Sequence, residues 1–170
     1  MYRLLLCYDL SPSQLDITLK ITNHDVKPMP YYAGFHPYFY IPYDSRAHAI
    51  LRLPEGPRYL YNNQLTQVVG QCTGLKGPVM LSEPILHEAL FGITNQCAAS
   101  ITYPEGDQLM IRQRPESTAR FRYIQCYAPE EDFVCIEPWM GYPNGLNVAG
   151  VPSLLMPGQS DILSLSLSLD

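Results

Sequence analysis

The chain of 170 residues carries a formal net charge of −5, with 46% apolar and only 16% charged residues. A chain of this size can bury roughly two-thirds of the surface its unfolded form exposes, which suits one domain with a real core. The lysines and arginines form no cluster, so nothing would release counterions from a phosphate backbone or hold an anionic membrane, and neither nucleic acid nor membrane is expected as a partner.

The 16 prolines, 11 glycines and 13 tyrosines disfavour long helices and favour short strands joined by turns. The opening "MYRLLLCYDL" is apolar, but Asp9 interrupts it before a signal peptide's apolar region would be complete, so it reads as a first strand. "LDITLKIT" sets Leu15, Ile17, Leu19 and Ile21 against Asp16, Thr18, Lys20 and Thr22, the period of a half-buried strand. In "YAGFHPYFYIP", an extended chain puts Tyr32, Gly34, His36, Tyr38 and Tyr40 on one face and Ala33, Phe35, Phe39 and Ile41 on the other. The second face is core. The first has hydroxyls, an imidazole and a glycine that leaves room for something to approach, and it resembles a lined cleft. Taken alone, His36 is equally a buried histidine satisfied by a backbone carbonyl.

Further along, "SEPILHEALFG" predicts a short helix, with Ser82 as N-cap, Pro84 in the first turn and Gly92 as the stop. "AASITY" and "QLMIRQ" flank "PEGD" and predict a hairpin. In "DFVCIEPWMGYPNGLN", Phe133 to Ile136 is apolar on both faces, as in a strand covered from two sides, and Glu137 stands at its end. A carboxylate there loses water, which raises its pKa and makes it a better proton acceptor near neutrality. A strand-end glutamate pointing to solvent would do nothing. Trp139 offers an indole face on which sugars stack, or else belongs to the core, and the turn at Pro143, Asn144 and Gly145 could hold it and Glu137 at a cleft mouth. The last residues alternate Leu163, Leu165, Leu167 and Leu169 with serines. Many short strands at regular spacing predict a single all-β domain over residues 1–170, an antiparallel β-sandwich.

Cys7, Cys72, Cys97, Cys126 and Cys135 are scattered with no C-x-x-C pair, which argues against a disulfide framework and a zinc site and fits a reducing cytoplasm. Cys135 shares the face of Glu137 and reads as packing. His24 and His87 have no partner at metal-ligand spacing. Phosphate-binding glycine loops and nucleophile elbows are missing from the sequence.

"ITNHDVKPMPYYAGFHPYF", with Asn23, Pro30, Gly34, His36, Pro37, Tyr38 and Phe39, resembles the histidine motif of the aldose 1-epimerases, the galactose mutarotase family. "VCIEPWMGYPNGLN" is similar to that family's carboxylate motif, and "LLMPGQS" to the Pro-Gly turn before its final strand. Order and spacing agree from Leu15 to Leu169. The resemblance implies a β-supersandwich that interconverts the α and β anomers of a free aldohexose such as glucose or galactose, with no metal and no cofactor. Glu137 and His36 would be its base and acid. Tyr38, Glu88, Trp139 and Asn144 would be its sugar contacts, Glu88 by way of "HEALF", although a solvated Glu88 is an equal reading.

Family members are longer and carry, ahead of the matched region, further strands, an arginine and another histidine that contact the sugar. The chain is therefore expected to correspond to the carboxy-terminal portion of such an enzyme. Its open sheet edges would favour association with a second copy or another chain. Three other readings stay open: a non-catalytic sugar-binding sandwich, an epimerase of phosphorylated sugars, and an inactive remnant. The second would want grouped arginines to fork a phosphate, whereas Arg112, Arg114, Arg120 and Arg122 are expected to be spread over two strands.

Overall fold

The computed structural model describes residues 1–169. A seven-stranded sheet runs in the order β1 (Tyr2–Ser11), β2 (Gln14–Asn23), β15 (Ser160–Leu169), β11 (Gln108–Gln113), β10 (Ala98–Thr102), β5 (Ile50–Arg52) and β8 (Val79–Met80). A six-stranded sheet runs β4 (Tyr38–Tyr40), β13 (Phe133–Trp139), β12 (Tyr123–Tyr127), β9 (Ala89–Gly92), β6 (Arg58–Tyr61) and β7 (Val68–Cys72). A small ladder joins β14 (Ser153–Leu155) to β3 (Met29–Tyr31). Every strand pair is antiparallel.

The core lies between the two larger sheets. Leu51, Ile101, Ile111, Leu163 and Leu165 enter it from one side, and Phe39, Phe91, Ile124, Val134 and Ile136 from the other. This is the all-β sandwich that the alternation predicts. β2 and β15 pair as their leucine and isoleucine periods require, with Leu163 opposite Leu19 and Leu165 opposite Ile17. On the reverse face, Thr18 and Ser164 share a hydroxyl hydrogen bond of 2.8 Å. The hairpin at Pro104–Asp107 forms between β10 and β11 as expected.

The predicted helix does not form. Pro84–Leu86 is a single 3₁₀ turn that follows Glu83, not Ser82, and Ala89–Gly92 is strand. All four residues of that strand are buried, with sheet partners on both sides in β12 and β6. Sheet pairing on two sides therefore overrides a local helix signal. The arginines are also placed differently: Arg112 is in β11, while Arg114, Arg120 and Arg122 lie in the connection to β12.

One buried side chain helps to position the six-stranded sheet. Arg46 is 2% exposed and its guanidinium donates to the carbonyls of Pro129, Glu131 and Phe133, gathering the segment that leads into β13. In the seven-stranded sheet β1 is an edge strand that, among the described residues, pairs only with β2, and all ten of its residues are exposed, including Leu4, Leu6, Tyr8 and Leu10. Arg46→Met keeps the aliphatic stem but leaves three carbonyls without their donor. It should lower stability by about 2–4 kcal/mol, read as a lower urea midpoint at unchanged slope.

Candidate active site

Period-two alternation along β13 sends Val134 and Ile136 into the core, and so turns Phe133, Cys135, Glu137 and Trp139 to the opposite face. Cross-strand register extends that face. Tyr38 and Tyr127 stand opposite Cys135, Gln125 opposite Glu137, and Tyr123 opposite Trp139, with Leu90 and then Tyr59 beyond Gln125. The result is an aromatic sheet face: Tyr38 packs on Phe133 at a centroid distance of 4.9 Å and Tyr59 on Tyr123 at 5.2 Å.

His36 reaches this face from the segment before β4. Its Nε2 lies 3.5 Å from Oε2 of Glu137, and its ring stacks on Tyr38 with centroids 4.9 Å apart and planes 10° from parallel. The two partners differ in solvation, since the imidazole is half-exposed while the Glu137 side chain is 2% exposed. Burial, and after it the negative charge of Glu88, push the Glu137 carboxyl up to about 8, against a smaller downward pull from Trp139.

Glu88 belongs to this cluster through side chains that the sequence reading did not single out. Tyr61 Oη donates to Gln125 Oε1 at 2.7 Å, and Gln125 Nε2 points to Glu88 Oε2 at 3.5 Å. Burial and the charges of Glu88 and Glu137 push the Tyr61 phenol upward, so it remains a donor. The signal for Gln125 was present: a polar residue in the middle of the otherwise apolar "YIQCY". Glu88 itself sits at φ +49°, a left-handed conformation unusual for this residue, between the 3₁₀ turn and β9.

The remaining expectations divide. Trp139 and Tyr38 lie on the face with Glu137. Asn144 does not join it: this exposed residue has φ +63° and accepts a hydrogen bond of 2.6 Å from Asn147, so its side chain serves the turn. Gly34 lines the cleft beside His36, but the space that a side chain at position 34 would take is filled by Trp139. A Cβ at position 34 would stand 2.5 Å from Trp139 Cδ1 and 2.8 Å from the Pro138 carbonyl oxygen. His24 and His87 are exposed, as expected of surface residues. Next to the pair, Tyr32, His36, Trp139, Tyr142 and Pro143 help line a cleft of about 290 Å³, near the lower limit for ligand clefts. A larger cleft of about 520 Å³ lies around Thr94 and Phe121 and contains none of these residues.

This architecture is the galactose mutarotase-like fold. A galactose mutarotase-like protein from Clostridium acetobutylicum superposes with a TM-score of 0.83 at 18% identity, over 99% of this chain and 56% of that one. One from Lactobacillus casei gives 0.81 at 19% identity, over 99% and 63%, and the GalM/aldose epimerase homologue from C. elegans gives 0.79 at 14%, over 99% and 60%. In sequence, the uncharacterized protein YphB of Escherichia coli is 25% identical over 99% of this chain and 60% of its own length. The chain thus spans about 60% of the curated relative it matches. No family model matches it. Among the described residues no helix is long and apolar enough to cross a membrane.

The raised Glu137 carboxyl has a stability consequence. The folded chain holds a proton there that the unfolded chain releases at lower pH, so the contribution to stability falls as pH rises toward about 8. Glu137→Gln removes this slope. Thermal unfolding of wild type and variant from pH 5 to pH 8 should show the difference moving in the variant's favour, by up to about 1.4 kcal/mol per pH unit.

Proposed function

We propose that the chain is an aldose 1-epimerase-like isomerase that interconverts the α and β anomers of a free aldohexose such as glucose or galactose, in the cytoplasm. The observation that carries this reading is the 3.5 Å approach of His36 Nε2 to Glu137 Oε2 on an aromatic sheet face. In the proposed reaction the Glu137 carboxylate takes the proton of the C1 hydroxyl while protonated His36 gives its proton to the ring oxygen. The C1–O5 bond breaks and an aldehyde and a C5 hydroxyl result. After rotation about C1–C2, His36 takes the C5 hydroxyl proton, O5 attacks the other face of C1, and Glu137 returns its proton to the carbonyl oxygen. The pair ends as it began, with no net proton consumed.

A reaction of this kind needs one proton shared between two groups of similar proton affinity. Glu137, pushed up to about 8, is far closer to an imidazole in this respect than a solvated carboxylate is. Glu88, held by Gln125, and Trp139 are the proposed sugar contacts, together with Tyr38. The same face favours an uncharged sugar over a phosphorylated one. Two of the arginines that could fork a phosphate are engaged elsewhere: Arg114 pairs with Asp16 and Glu116 at 2.6 and 2.7 Å, and Arg122 donates to Gly150 and Ser153.

Polarimetry of freshly dissolved α-glucose and α-galactose tests the proposal. His36→Asn and Glu137→Gln should each slow mutarotation at least about 100-fold, and Glu137→Gln should still bind sugar. The wild-type rate should fall on the alkaline side, where Glu137, pushed up to about 8, gives its proton to solvent. A wild-type rate equal to the spontaneous one, with sugar still bound, would leave a sugar-binding sandwich instead.

A second copy of the chain is the other proposed partner, through the free edge of β1. A two-fold antiparallel pairing centred on Leu6 sets Arg3 of each copy opposite Asp9 of the other, and Leu4 opposite Tyr8. Sedimentation should show a dimer that Arg3→Asp weakens and Arg3→Asp with Asp9→Arg restores. A monomer at every concentration would dismiss it.

A further inference from the structure

Three donor atoms of different chemistry meet beside the sheet. His36 Nε2, Cys135 Sγ and a Glu137 carboxylate oxygen all lie within 4.8 Å of one another. Strand geometry accounts for the meeting: Cys135 and Glu137 are two residues apart on one face of β13, and Tyr38, the register partner of Cys135, carries the stacked ring of His36. The sequence pattern concealed the group, since the cysteine and the histidine are far apart along the chain and form none of the usual ligand spacings.

A second, separate observation points to a ligand. Oε2 of Glu137 is buried and, among the described residues, has no hydrogen-bond partner, although a buried carboxylate oxygen is normally satisfied. It is the oxygen nearest the imidazole. Bonds of roughly 2.0 Å from nitrogen and oxygen to a tetrahedral zinc-like ion put those two ligands about 3.3 Å apart, close to the 3.5 Å seen between Nε2 and Oε2.

We propose that His36, Cys135 and Glu137 form a binding site for a soft divalent transition-metal ion of the Zn²⁺ class. Thiolate and imidazole together select such an ion over Mg²⁺ or Ca²⁺, which take oxygen ligands. Three protein ligands leave a fourth tetrahedral position for water, on the half-exposed side of His36, which is also the way in. The imidazole swings slightly toward Sγ as the ion enters. Binding releases the thiol proton, and any proton on the imidazole or carboxyl, to solvent, so uptake of the ion acidifies an unbuffered solution. The ion takes the lone pairs that the proposed isomerase uses to move protons. Metal and turnover therefore exclude each other. This last consequence rests on the function proposed above; the site itself does not.

Cobalt(II) is the probe, added to the full chain in a Cys7→Ser, Cys72→Ser background, because those two cysteines are exposed and would take up metal on their own. One equivalent should bind and give a near-ultraviolet thiolate-to-cobalt band that Zn²⁺ abolishes. Cys135→Ser should lose the band, and His36→Asn, a change at a half-exposed side chain, should weaken binding at least about tenfold. A band that survives Cys135→Ser, unchanged affinity in His36→Asn, or folded protein that gives no band overturns the proposal. Should Cys135→Ser not fold, His36→Asn decides alone. Cobalt binding without any mutarotase activity would remove the isomerase reading and keep the metal site; mutarotation without cobalt binding would do the reverse.

Discussion

The desolvation of one carboxyl group governs the chemistry available to this sandwich. Glu137 is carried on β13, a strand with neighbours on both sides, and its side chain is almost wholly shielded although it points away from the core. Water is replaced there by Trp139, by the sheet beneath, and by a second acid, Glu88, whose charge adds to the cost of ionisation. Trp139 offsets part of that cost, and the imidazole of His36 stands 3.5 Å away. The tension between a reluctant anion and one adjacent imidazole underlies both the proton exchange and the metal binding proposed for the site.

The rest of the fold holds this tension in place. β13 is clamped between β4 and β12, its approach is gathered by the buried Arg46, and its end is locked to Gly34, whose missing side chain lets Trp139 come close. Backbone bonds from Phe35 to Pro138 and from Met140 to Ala33 fasten the histidine-bearing segment to the carboxylate-bearing strand. The backbone next to His36 is thus fastened to the element that carries its partner. Such support on rigid strands is what alignment of an acid and a base requires.

Much of this was legible in the sequence because a period of two is a local property. The alternation at Leu15–Ile21 and at Leu163–Leu169 gave strands and faces directly, and the placement of His36 beside hydroxyls, opposite Phe39 and Ile41, holds in the structure. What depends on register between distant strands was not legible. Gln125 and Tyr61 reach Glu88 only because β6, β9 and β12 lie side by side, and Cys135 reaches His36 only because β4 pairs with β13. The packing of Trp139 on Gly34 is hidden for the same reason, since the tryptophan comes from a segment about a hundred residues away. The helix expected around Leu86 failed because "ALFG" carries no period at all, and an unbroken apolar run fits a doubly covered strand as well as a helix turn.

Glu88 stands on a backbone that glycine or asparagine would adopt more comfortably. A glutamate is kept there at a local cost of about 1 kcal/mol. Asparagine at this position would relax the main chain and withdraw the negative charge, leaving a sturdier molecule whose buried acid gives up its proton more readily. The site's awkward residue is in that sense a tuning screw: comfort of the chain and basicity of the neighbouring group are set against each other at a single amino acid.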